Sequence, residues 1–174
     1  MLIKKADGRK VDIDALTQLL DEPGVSAPAA ERIQVEIRRI RVGAKTEDEA
    51  AYNIDFHHRE SDKWAVIHDL RIDYQGRVAQ IDHLLINRFM EFWVCESKSF
   101  SQGVAINELG EFTTVYQGRR KGIASPIEQN GRHLKVLDSL LRSGLISLPS
   151  RLGLTLQPTL HSVVLVGPQA HIER

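Results

Sequence analysis

Cysteine is all but missing from this chain. Cys95 stands alone, which excludes an internal disulfide and a cysteine-built zinc cluster and makes a reducing compartment the expectation. Long apolar runs are missing too. No stretch approaches the roughly 18 apolar residues of a membrane span, and the N-terminal "MLIKKADGRKVDIDA" has neither an apolar core nor a small-residue cleavage site. A soluble, cytoplasmic protein without a membrane partner is therefore expected. An excess of one charge is likewise absent. With 23 Lys and Arg against 23 Asp and Glu, no net field points to nucleic acid or to a membrane, and only local patches could do so. Repeats and low-complexity tracts are not found. What is present is length: 174 residues suffice for one domain, which at about 150 residues buries roughly 70% of the surface its unfolded chain exposes.

Turn residues and periodicity divide the chain. "DIDALTQLL" reads as a short helix, and "DEPGVSAPAA" as a linker, so residues 1–28 form an N-terminal helix and linker ahead of a main domain at 29–174. Ile33, Ile37 and Ile40 recur at helical spacing before Gly43, which predicts a helix over Ala29 to Val42 closed by a glycine cap. Thr46 and Glu49 have capping-box spacing and predict a further helix to about Arg59. Then the period changes. "WAVIHDLRIDY" and "VAQIDHLLI" flank Gln75-Gly76 as strands, and "EFWVCESK" is a third, rich in branched and aromatic residues. Turn signals at Leu109-Gly110 and Gln117-Gly118 predict short antiparallel strands. Pro126 opens a helix with an apolar stripe of Leu134, Leu137, Leu140 and Leu141, and "LHSVVLVG" closes as a buried strand. Helices, antiparallel strands, a helix and a strand make a mixed central sheet flanked by helices, an α/β fold.

The stretch "QIDHLLINRFMEFWVCESKSF" places charges inside two apolar strands. Side chains alternate faces along a strand, so Phe92, Val94, Glu96 and Lys98 share one face, as do Gln80, Asp82, Leu84 and Ile86. A hairpin centred on Phe89 sets Asp82 across from Glu96, with Cβ atoms about 4.5–5.5 Å apart. Two carboxylates that close and partly buried repel, and are driven toward protonation unless a cation lies between them. A divalent ion such as Mg²⁺, which takes one or two carboxylates, waters and a substrate phosphate oxygen, resolves the conflict. Lys98 projects from the same face, where an ammonium could position the attacking water. Metal-assisted phosphodiester hydrolysis is the chemistry these residues suggest. A structural Glu96–Lys98 salt bridge is the competing reading.

"QIDHLLI" followed by "CESK" resembles the D…ExK core of the PD-(D/E)XK nucleases, and the surrounding pattern is similar to the nuclease-related domain, NERD. The resemblance runs from about Gly43 to Leu141. It implies a restriction-endonuclease-like fold, Mg²⁺ or Mn²⁺ as cofactor and DNA as substrate. It implies catalytic roles for Asp82, Glu96, Lys98, Gln129 in "SPIEQNGRHLKVL" and Glu49 in "TEDEAAYNI", and metal ligation by Asp82, Glu96 and the Ser97 carbonyl. Asp48 replaces the family's glycine before the first glutamate, which favours Glu47 over Glu49 as the matching acid, and the hairpin tip "NRFME" lacks a glycine.

His133 lies four residues after Gln129 and shares its helical face. Arg119, Arg120 and Lys121 in "QGRRKG", and the arginines of "RRIR", are candidate phosphate contacts; solvated surface is the alternative for each. Adjacent His57 and His58 diverge around a helix and have no cysteine partner, so they belong to the surface and not to zinc. Trp64 and Trp93 read as core. The expectation is a metal-dependent DNA nuclease, with additional domains or a homo-oligomer as possible partners. The rival is a catalytically silent nucleic-acid-binding or protein-interaction module on the same fold.

Overall fold

The computed structural model describes residues 1–100, 103–116, 119–168 and 170–173. Its helices are α1 (Lys10–Leu20), α2 (Ala27–His58) and α3 (Pro126–Arg142). Its strands are β1 (Leu2–Lys4), β2 (Trp64–Tyr74), β3 (Arg77–Asn87), β4 (Glu91–Lys98), β5 (Val104–Ile106), β6 (Phe112–Tyr116), β7 (Arg119–Ile123), β8 (Ser150–Arg151), β9 (Leu154–Thr155), β10 (Thr159–Val166) and β11 (Ile172–Glu173). Among the described residues no helix is long and apolar enough to cross a membrane.

The central sheet has the order β1-β2-β3-β4-β10. β2, β3 and β4 form an antiparallel meander, while β1 joins β2 and β10 joins β4 in parallel, so the sheet is mixed. A smaller sheet, β11-β5-β6-β7, and the β8-β9 pair complete the chain.

Alternation along β3 and β4 gives each face its own core. Leu84, Phe92 and Val94 turn toward α3 and pack with Val136, Leu137 and Leu141. Val66, Leu85 and Cys95 form the other cluster, flanked by Ile54 of α2, Trp64 and Trp93. Apolar residues on both faces mark β3 and β4 as central strands.

Three expectations need correction. The helices expected over Ala29 to Val42 and from Thr46 to about Arg59 are one continuous helix, α2. Gly43 sits inside it, and the Thr46 hydroxyl donates to the Val42 carbonyl at 3.2 Å, the back-bond of a mid-helix threonine and not a cap. A glycine inside a helix costs about 1 kcal/mol, yet α2 continues through it, with Ile37 buried before it and Ala51 after it. Within 1–28, β1 was not foreseen; three residues are too few for a periodic signal. The closing strand β10 is half-exposed, because it forms an edge of the central sheet. The turn expected at Gln117-Gly118 lies outside the described residues.

Candidate active site

The β3–β4 ladder runs from Ile86 opposite Phe92 to His83 opposite Cys95, which is the register of a hairpin centred on Phe89. At the next step the bonding changes, and the Ser97 amide donates to Asp82 Oδ2 at 2.8 Å. Asp82 and Glu96 are 8% and 3% exposed. Burial, and then the Glu96 charge, push the Asp82 carboxyl up to about 7 against the opposing pull of the Ser97 amide and Lys98; Glu47 adds to the rise.

Glu96 is held from two directions. Lys98 Nζ and Gln129 Nε2 each donate to its Oε1 at 2.7 Å. Its Oε2 is buried without a hydrogen-bond partner among the described residues. His133 Nδ1, also unpartnered, stands 3.7 Å from that oxygen. Burial lowers the pKa of His133 although Glu96 pulls it up.

Gln129 reaches Glu96 because α3 is seated firmly. Ser125 caps the helix by accepting from the Glu128 amide at 3.3 Å, and Pro126 fills the first turn. Asn130 is fully buried, and its Nδ2 contacts the carbonyls of Val94 at 2.8 Å and Val163 at 3.2 Å and the Ser162 hydroxyl at 2.9 Å. These bonds tie the helix to β4 and β10 one residue away from Gln129.

Glu49 does not join this cluster. It is exposed and pairs with Lys45 at 3.8 Å. Two residues along a helix rotate a side chain by about 200°, and it is Glu47 that turns inward. Glu47 lies 3.6 Å from Arg9; burial raises its pKa, with Asp69 and Glu96 adding to the rise and Arg9 opposing it. Asp69 itself has φ +49°, a left-handed conformation uncommon outside glycine. Arg119, Arg120 and Lys121 are exposed on β7 in the smaller sheet, and Arg120 meets Glu173 at 3.4 Å. His57 is exposed, and the half-buried His58 packs at a tilt against Trp64, with ring centroids 5.4 Å apart.

A second polar array lies on the opposite face and was not foreseen. Asp55 Oδ1 is 3.1 Å from His68 Nε2, the two histidines meet Nδ1 to Nδ1 at 2.7 Å, and His83 Nε2 is 2.9 Å from Ser97 Oγ. Both histidines are 1% exposed. Burial, with His68 beside it, pushes His83 down to about 4. The available signal was a histidine inside each apolar strand, in "WAVIHDL" and "QIDHLLI".

A mixed sheet flanked by helices, with an acidic pair, a lysine and a glutamine gathered over it, is consistent with a restriction-endonuclease-like fold. The family model described as the nuclease-related domain, NERD, matches residues 42–166, and the chain belongs to that family. No curated protein and no solved structure matches it.

Proposed function

We propose that this domain is a divalent-metal-dependent nuclease that hydrolyses phosphodiester bonds in DNA. The observation that carries the reading is Glu96 Oε2, a buried carboxylate oxygen with no hydrogen-bond partner among the described residues, beside an Asp82 whose carboxyl is pushed up to about 7. Such a pair is unfavourable as it stands and favourable around a cation. Its donors are hard oxygens, which suit Mg²⁺ or Mn²⁺.

Among the described residues no three His, Cys, Asp or Glu side chains are grouped to hold a metal. Mg²⁺ takes one or two carboxylates and keeps several waters, whereas a closed zinc cage takes four protein ligands. Asp82, Glu96 and the Ser97 carbonyl are the residues that would hold it. When bound, the ion supplies Lewis-acid polarisation of a phosphoryl oxygen and offsets its charge.

The chain's own groups do the rest. Lys98 and Gln129 both grip Glu96 Oε1, which fixes the carboxylate plane and leaves Oε2 without a donor among the described residues. The Lys98 ammonium has three hydrogens; with one committed to Glu96, the others can hold a water for in-line attack. Gln129 keeps its carbonyl oxygen to accept from that water. The Ser97 amide holds Asp82 Oδ2 and so limits its rotation. The choice of DNA rests on family membership.

The test is nicking of supercoiled plasmid by wild type and Lys98→Ala, each with Mg²⁺, Mn²⁺ or chelator. Wild-type cleavage that needs the metal and is lost in the variant is expected. Intact plasmid after incubation of wild type with either metal, or undiminished cleavage by Lys98→Ala, sinks the reading and favours a silent binding module.

A further inference from the structure

We propose that Asp55, His68 and His83 are positioning residues, a hydrogen-bonded file from α2 across β2 and β3 that fixes Ser97, whose amide holds Asp82 and whose carbonyl is the proposed third metal oxygen. The inference rests on the metal-site reading above and goes beyond it to residues on the other face of the sheet.

The file lies across the strands. His68 and His83 are register partners in β2 and β3, and His83 is the partner of Cys95 in β4, so one step along β4 on that face leads to Ser97. Three bonds link the members at 3.1, 2.7 and 2.9 Å. Arg59, on the surface, donates to the second oxygen of Asp55 at 3.0 Å and anchors the outer end.

For two neutral imidazoles the bonds admit one arrangement of protons. Asp55 is ionised: burial raises its carboxyl, but hydrogen bonds from His68 and Arg59 outweigh that and hold it below the usual range. It accepts only, so His68 carries its hydrogen on Nε2 and offers the Nδ1 lone pair. His83 must then carry its hydrogen on Nδ1 and present Nε2 as an acceptor. The Ser97 hydroxyl therefore donates into the file. Each assignment follows from the one before.

Position gives the file its consequence. The β3–β4 ladder ends at His83 and Cys95, so Ser97 is tied to β3 by two bonds, its hydroxyl to His83 and its amide to Asp82. Orientation from one side reaches the carboxylate on the other. Fold stability alone does not explain the arrangement, because two buried imidazoles among Val66, Leu85 and Cys95 carry a desolvation cost that apolar residues of similar volume would avoid. Outer hydrogen bonds that orient metal ligands are typically worth about 10–100-fold in metal affinity.

Two measurements test this on the full chain. ¹⁵N NMR of the metal-free wild type reads the tautomers, with the hydrogen expected on Nε2 of His68 and Nδ1 of His83. The reverse assignment overturns the proposal even if no variant folds. The second is Mn²⁺ affinity, measured by EPR, for wild type, Asp55→Ala, Asp55→Asn, Ser97→Ala and the double variant Asp55→Ala/Ser97→Ala. Asp55→Ala and Ser97→Ala should each weaken binding about 10–100-fold, Asp55→Asn should keep wild-type affinity because its amide oxygen still accepts from His68, and the double variant should be no weaker than Ser97→Ala. Additive losses, or unchanged affinity in Asp55→Ala, overturn the proposal while leaving the nuclease reading intact. Wild type that binds no Mn²⁺ removes both the nuclease reading and this positioning role.

Discussion

Lys98 Nζ lies 2.7 Å from Glu96 Oε1 on one face of β4, so the ammonium offsets a carboxylate that is otherwise shut away from water. Removing one partner of a buried pair costs about 3–5 kcal/mol; Lys98 is 32% exposed on its side chain, and solvent screening reduces the figure. Lys98→Ala should therefore lower the stability of the metal-free domain by about 1–3 kcal/mol. Adding Glu96→Gln should restore most of that loss, because a neutral amide no longer needs a cation. Urea unfolding of the two single variants and the double variant checks this, and additive effects would contradict it.

Asp82 sets a pH dependence in the metal-free protein. Its folded carboxyl titrates near 7 instead of 3.8, so the folded state holds a proton that the unfolded chain has released. With the folded pKa raised, stability is greatest below the unfolded value and falls as pH rises toward 7, by a total on the order of a few kcal/mol. Asp82→Asn keeps an acceptor for the Ser97 amide and removes the titration. It should melt several degrees above wild type at pH 8, at about 2–4 °C per kcal/mol for a chain of this size, and should match it near pH 4. Scanning calorimetry with chelator present decides, and parallel melting curves across pH would count against the burial of Asp82.

The acidic core was legible because its information is local. A period of two fixes which face each residue of β3 and β4 takes, and one assumed turn centre, Phe89, sets the register. Glu96, Lys98 and Asp82 followed from that arithmetic. The choice between Glu47 and Glu49 did not, because it depends on the phase of a long helix that runs on through Gly43, where the sequence alone reads a stop. The Asp55–His68–His83 file was hidden for a related reason. Its members come from three elements, and each alone is an ordinary polar residue until β2, β3 and α2 are brought together.

Glu47 and Glu49 can be told apart by experiment. Glu49 is exposed with a helical neighbour, Lys45, at 3.8 Å, and such pairs contribute about 0.3–0.5 kcal/mol. Glu49→Ala should leave stability within about 0.5 kcal/mol and plasmid cleavage at the wild-type rate. Glu47 adds to the rise of the Asp82 pKa, so Glu47→Gln should lower that pKa and weaken the fall in stability between pH 4 and 7. Measured together by chemical denaturation and nicking rate, the pair gives a clear contrast. A loss of cleavage confined to Glu49→Ala would restore the acid named by the sequence pattern.

The β7 strand tests the path of the nucleic acid. Side chains alternate along a strand, so Arg119 and Lys121 share a face while Arg120 turns to the other and meets Glu173 at 3.4 Å. A cation already paired within the protein adds less to phosphate binding than a free one, because it must leave its partner. If β7 tracks the DNA backbone, Arg119→Ala and Lys121→Ala should each reduce the slope of log K against log salt by about 0.9, the contribution of one phosphate contact on a duplex, and Arg120→Ala should reduce it less. Fluorescence anisotropy of a labelled duplex in chelator, which separates binding from cleavage, measures the slope. Equal slopes for wild type and all three variants would place the DNA away from this strand and leave the arginines of α2 as the basic surface to examine.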